Sequence, residues 1–176
     1  MAGGSAGRAQ AAVTLRTGAG RLGLGHDIGT AWRRGPGLWR DVAIAVWELA
    51  LANRAFRRTP PGELPLLPRR EAETGTLTAR QQQLVERVAY AMPVMGLRVP
   101  WRSDCVVQAL AARRWLARGG IGSNVHVGVR NDEHGFQAHA WLRVGERIVT
   151  GGDISTYAEL PASRLHEGLF AVTAAR

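Results

Sequence analysis

A chain of 176 residues has material for one domain and its core with an appendage or two, and not for two independent enzymatic domains. Apolar content of 45% and charged content of 21% are those of a globular protein, and a single cysteine excludes an internal disulfide, so a thiol that must stay reduced suits the cytoplasm. The net charge of +9 comes from arginine alone, without a lysine, but the arginines are scattered, with no basic stripe, zinc-finger spacing or RNA-binding aromatic motif, which argues against nucleic-acid binding.

Residues 1–35 are rich in Gly, Ala and Arg and poor in large apolar side chains, the composition of a flexible tail. Arg33-Arg34 ahead of "VAIAVWELALA" has the outline of a twin-arginine export signal. Gly-Pro-Gly after the pair, Glu48 inside the apolar run, and a run far shorter than the ~20 residues of a membrane span argue against both export and membrane insertion. The remainder, 36–176, reads as a single domain.

A helix is expected over 38–57, with Leu38, Val42, Ala45, Val46, Leu49 and Ala52 on one side and Trp39, Ala43, Trp47 and Ala50 widening the apolar face. Asp41 near its start and Arg54, Arg57 and Arg58 near its end complement the helix dipole. Closely spaced prolines then make 59–75 a linker. Thr78-Ala79-Arg80-Gln81 has the capping-box pattern of a second helix, carrying Leu84, Val85, Val88, Ala89 and Met92 and closed by Pro93. A third helix, capped by Ser103 or Asp104, buries Val106, Val107, Leu110, Ala111, Trp115 and Leu116 and ends at Gly119-Gly120. Cys105 falls in its first turn.

Strict alternation then marks strands. "NVHVGVR" (124–130) turns Val125, Val127 and Val129 inward, and "FQAHAWLRV" (136–144) sets Phe136, Ala138, Ala140, Leu142 and Val144 on one face with His139 and Trp141 on the other. Gly145-Glu146 fits a tight hairpin into "RIVTGGD", an antiparallel third strand. Residues 154–176 carry a weak pattern that allows one short helix. Helices followed by an antiparallel sheet make the fold class α+β.

A thiol becomes nucleophilic when a helix N-terminus and a neighbouring imidazole lower its pKa. Cys105 has the first by position, and His139, on the polar face of its strand, can supply the second. Pairing 144 with 147 sets His139 opposite Gly152 and beside Asp153, which is within reach to orient the ring if a bulge or the strand end turns it inward. The expected constellation is Cys105, His139 and Asp153, with an oxyanion held by backbone N–H groups, one of them at the helix start. Each residue also has a plainer reading: Cys105 as a small core residue, His139 as a sheet histidine bonded to the main chain, Asp153 as a turn former. His126 and His134 read as solvated residues, and His26 and His166 carry no pattern. Trp101, Trp115 and Trp141 read as core or cleft walls. One cysteine with dispersed histidines does not make a metal site, and no cofactor motif is present.

The segments "VPWRSDCVVQALAARRWLARGGIGSNVHVGV" and "FQAHAWLRVGERIVTGGD" resemble the leader peptidases of lasso-peptide biosynthesis, the B proteins, over roughly residues 80–160. The resemblance implies a papain- or transglutaminase-like core, with N-terminal helices packed on a short antiparallel sheet. It also implies a cysteine peptidase that frees a ribosomally made precursor peptide of its leader, so that an ATP-dependent lasso cyclase can close a macrolactam. Cys105 and His139 match the family's cysteine and histidine. The family's acid often falls a residue or two before Asp153, where this chain has Gly151 and Gly152. Some members carry a winged-helix-like recognition domain ahead of the peptidase; residues 1–75 show a tail, a helix and a linker instead, implying a separate leader-recognition protein. Amide transfer or deamidation through the same thioester, and an inactive adaptor for the cyclase, are the alternative functions.

Overall fold

The computed structural model describes residues 36–59, 75–132 and 135–161. The 1–35 tail, residues 60–74 of the linker, His134 and the segment after 161 lie outside them. Among the described residues three helices precede the sheet: α1 (Pro36–Arg58), α2 (Ala79–Gly96) and α3 (Cys105–Arg118). Pro36 takes the first position of α1, where its missing N–H removes no helical bond. Thr78 and Gln81 form the complete capping box at the start of α2. Pro93 does not close that helix, which continues to Gly96: so near the C-terminal end, a proline forfeits one backbone bond without ending the last turn.

The sheet comprises β1 (Asn124–Asp132), β2 (Gly135–Val144), β3 (Arg147–Thr150) and β4 (Ala158–Glu159), in the order β3-β2-β1-β4. All neighbours are antiparallel. The first residues after 154 yield a short edge strand on β1, and the rest of the segment in which a short helix is allowed lies outside the described residues. The hairpin pairs Val144 with Arg147 as anticipated, but the register slips between Leu142 and Arg143, so that Leu142 faces Thr150 and β3 ends there.

One apolar core joins helices and sheet. Leu49, Met92, Val88 and Leu116 from the helices meet Ala140, Leu142, Val144 and Val149 from the strands, all buried. Each large side chain so enclosed contributes about 1.5–3 kcal/mol. The wide apolar face expected for α1 is corrected: Trp39 and Trp47 are 66% and 63% exposed, while Asp41 and Glu48 are buried. The reason is ionic stitching between elements. Asp41 accepts from Arg87 of α2, with one bond of 2.7 Å, so it serves an interhelical pair and lies past the first turn, which holds no acidic residue. Glu48, 0% exposed, accepts from Arg114 at 3.0 Å and from Arg118, both on α3. Half-exposed guanidinium groups keep their hydration while neutralising a carboxylate that could not be buried alone. Arg147 of β3 pairs with Glu86 of α2 as well, here between two exposed side chains. Part of the arginine excess thereby links neighbouring elements. Among the described residues, no helix is long and apolar enough to cross a membrane.

Candidate active site

Cys105 is the first residue of α3. Asp104 precedes it with the extended backbone of an N-cap, yet makes no side-chain cap bond. Its carboxylate instead takes the Arg102 Nε–H at 2.8 Å. Ser103 does not cap either; its buried hydroxyl has no hydrogen-bond partner among the described residues. The expectation of a side-chain cap is therefore corrected. The first-turn N–H groups, left without a cap, are free to serve the sulfur: backbone N–H groups of Cys105 and Val106 favour its thiolate, together with the N–H of Ala140 on β2. The sulfur thus lies against the residue that follows His139.

These donors do not prevail in this state. Burial pushes the Cys105 thiol above its ordinary pKa, and the Asp104 carboxylate adds to the rise, against the three N–H groups. Helix position and a neighbouring imidazole predict a lowered pKa; partial enclosure in the α3–sheet junction outweighs the peptide dipoles. Sγ and the His139 ring share no hydrogen bond among the described contacts, an arrangement common in sites that tighten around substrate.

His139 is buried on the central strand β2. Its Nε2 lies 2.7 Å from the Gly151 carbonyl oxygen. The Tyr157 ring packs against it at 4.9 Å between centroids, and Trp141 borders it at 6.3 Å. Asp153 is exposed, and its Oδ1 accepts the Ser155 N–H at 2.9 Å. Those Ser155 bonds hold the Asp153 carboxyl below the usual carboxylate range. The atom on the imidazole is thus a main-chain oxygen two residues before the expected acid, and the aspartate performs the turn-forming job that was its plainer reading.

The face of the sheet that carries His139 is not a solvated polar face. Trp141 is 1% exposed and stacks on His126, which bonds Glu159. This stack forms because Gly128, opposite His139, leaves room: a Cβ there would sit 2.7 Å from the Trp141 ring. Phe136, placed among the inward residues by alternation, is 48% exposed near the outer end of β2. Trp115 is core, as one of its two readings had it. A cavity of about 330 Å³ is lined by Asn53, Phe56, Arg57, Trp101, Asp104 and Val107 among others, beside the start of α3 and without Cys105 or His139 in its wall. The Nε1–H of Trp101 is buried without a partner among the described residues.

Four contributors were not named from the sequence: the Ala140 N–H, the Gly151 carbonyl, Tyr157 and Arg130, whose guanidinium lies 5.1 Å from the Tyr157 ring centre. Only Gly151-Gly152 left a trace, as paired glycines at a strand end. The chemistry this arrangement supports is thiol-dependent acyl transfer. A sequence profile of the transglutaminase-like superfamily matches residues 43–162, which span all of these groups. No curated protein and no solved structure matches the chain.

Proposed function

The chain belongs to the transglutaminase-like superfamily, and from that premise we propose that it is a cysteine peptidase that removes the leader from a lasso-peptide precursor. The observation that carries this reading is the meeting of α3 and β2: the one thiol of the chain sits on the backbone N–H next to His139. The motifs around "SDC" and "AHAW" add the specific likeness to leader peptidases. In this mechanism Cys105 attacks the carbonyl at the leader–core junction and His139 takes the thiol proton. The ring returns that proton to the leaving amine, and water hydrolyses the thioester, releasing the acid and regenerating the thiol. A separate recognition protein presents the precursor, a cyclase consumes the freed core peptide, and the work is done in the cytoplasm.

The raised thiol pKa fits a site that becomes competent on assembly, since a substrate or partner that brings imidazole and sulfur together favours their ion pair. Mass spectrometry of precursor peptide incubated with the protein and a recognition partner tests the proposal. Free leader is expected from wild type, and none from Cys105→Ala. Replacement of a side-chain ammonia by water would transfer the assignment to deamidation, a new amide bond formed with release of ammonia would transfer it to amide transfer, and an unchanged precursor would transfer it to an adaptor role.

A further inference from the structure

We infer that the group orienting His139 is the main-chain carbonyl of Gly151, not a carboxylate; the inference rests on the reading of His139 as the general base. A carbonyl oxygen can only accept, so at 2.7 Å the ring must donate from Nε2. The neutral imidazole then keeps its lone pair on Nδ1, which becomes the atom that takes the thiol proton. An uncharged acceptor performs the orienting part that a triad gives to an acid.

Three features hold the carbonyl there. The register slip beside Leu142 ends the β2–β3 ladder at Thr150, leaving the Gly151 oxygen outside it. Gly151 has φ +113°, where a side chain is strained, and a Cβ on it would lie 2.3 Å from Cβ of Trp141, so both torsion and space demand glycine. The segment that follows is fastened across the sheet. Arg130 donates to Gln137 at 2.8 Å and to Thr156 at 3.3 Å while covering Tyr157, and Leu160 N–H bonds the Val127 carbonyl at 2.8 Å. Tyr157, carried by this strap, packs on the ring whose Nε2 the Gly151 carbonyl holds. Asp153, on the same strap, is engaged with Ser155. Gly151 and Tyr157 are therefore positioning residues, acting through His139.

The test is the ¹⁵N spectrum of the His139 imidazole in the full-length labelled chain at about pH 8, where a neutral ring reports its tautomer. The proton is expected on Nε2, and Asp153→Asn should leave both nitrogen resonances in place. A proton on Nδ1, or a shift of the Nε2 resonance in Asp153→Asn, overturns the inference. Gly151→Ala is expected to mix the two tautomers and, where cleavage is measured, to lower kcat more than tenfold with KM little changed; a single unchanged Nε2–H tautomer in that variant also overturns it. The spectrum requires no turnover, so absence of cleavage strikes the peptidase assignment alone, and a wrong tautomer strikes the orienting carbonyl alone.

Discussion

The starts of α2 and α3 solve the same problem in opposite ways. At α2, Thr78 Oγ1 accepts the Gln81 N–H at 3.3 Å and Gln81 Oε1 accepts the Thr78 N–H at 3.0 Å, so local groups satisfy the open helix end. At α3 the residue in the cap position is capable of the same service, but Arg102 draws its carboxylate aside. What remains there is a set of N–H groups directed at a sulfur. The difference teaches that a helix end without a side-chain cap leaves its N–H groups available to another acceptor, here the sulfur of Cys105.

The contrast can be broken most severely at the sulfur. Cys105→Ser should reduce peptide cleavage by at least about a thousandfold, because an alcohol is not ionised by first-turn N–H groups; activity within tenfold of wild type, measured by mass spectrometry, would leave α3 without a chemical role. Next in size is Thr78→Ala, expected to cost about 1 kcal/mol in urea unfolding while the rate of Cys105 alkylation stays unchanged. An altered alkylation rate would mean that the two helix ends are coupled. Asp104→Asn should do the reverse. Removing the carboxylate beside the thiol lowers its pKa and speeds iodoacetamide labelling several-fold at about pH 8; unchanged labelling would show that Asp104 does not act on the sulfur.

The smallest effect is a pH dependence of stability. Burial holds the folded thiol's pKa above that of the unfolded chain. At pH below the unfolded value the thiol is neutral in both states and adds no dependence. Above it the unfolded chain ionises first, unfolding releases a proton, and stability falls as pH rises, the loss levelling off beyond the folded value. Relative to Cys105→Ala, wild type should therefore lose stability between about pH 8 and 10, seen as a declining urea midpoint. Two parallel curves would show that the enclosure does not act on the sulfur.

Periodicity and caps were sufficient for the positions of the three helices and the β1–β2–β3 meander, and for placing Cys105 and His139 where those elements meet. Such signals are local: a 3.6-residue apolar repeat, a Thr-x-x-Gln box and alternating strands depend on near neighbours alone. Trp39 and Trp47 misled because an apolar side chain does not state its face, and the burial of Asp41 and Glu48 was not legible because their arginine partners lie on other helices, up to 70 residues away. The third member of the site was unreadable for a related reason. A one-residue slip beside Leu142 decides where β3 stops, and a backbone carbonyl has no letter of its own in a sequence.

The chain's own order of residues thus determined the fold class, the described helices, the first three strands and the two side chains of the candidate chemistry, since each follows from contacts within a few residues. Only the tertiary structure decided which atom faces His139, how deeply the Cys105 sulfur is enclosed and which charges are neutralised. Those outcomes depend on distances between segments far apart in the chain, where packing and competition for hydrogen-bond partners, rather than local propensity, set the result.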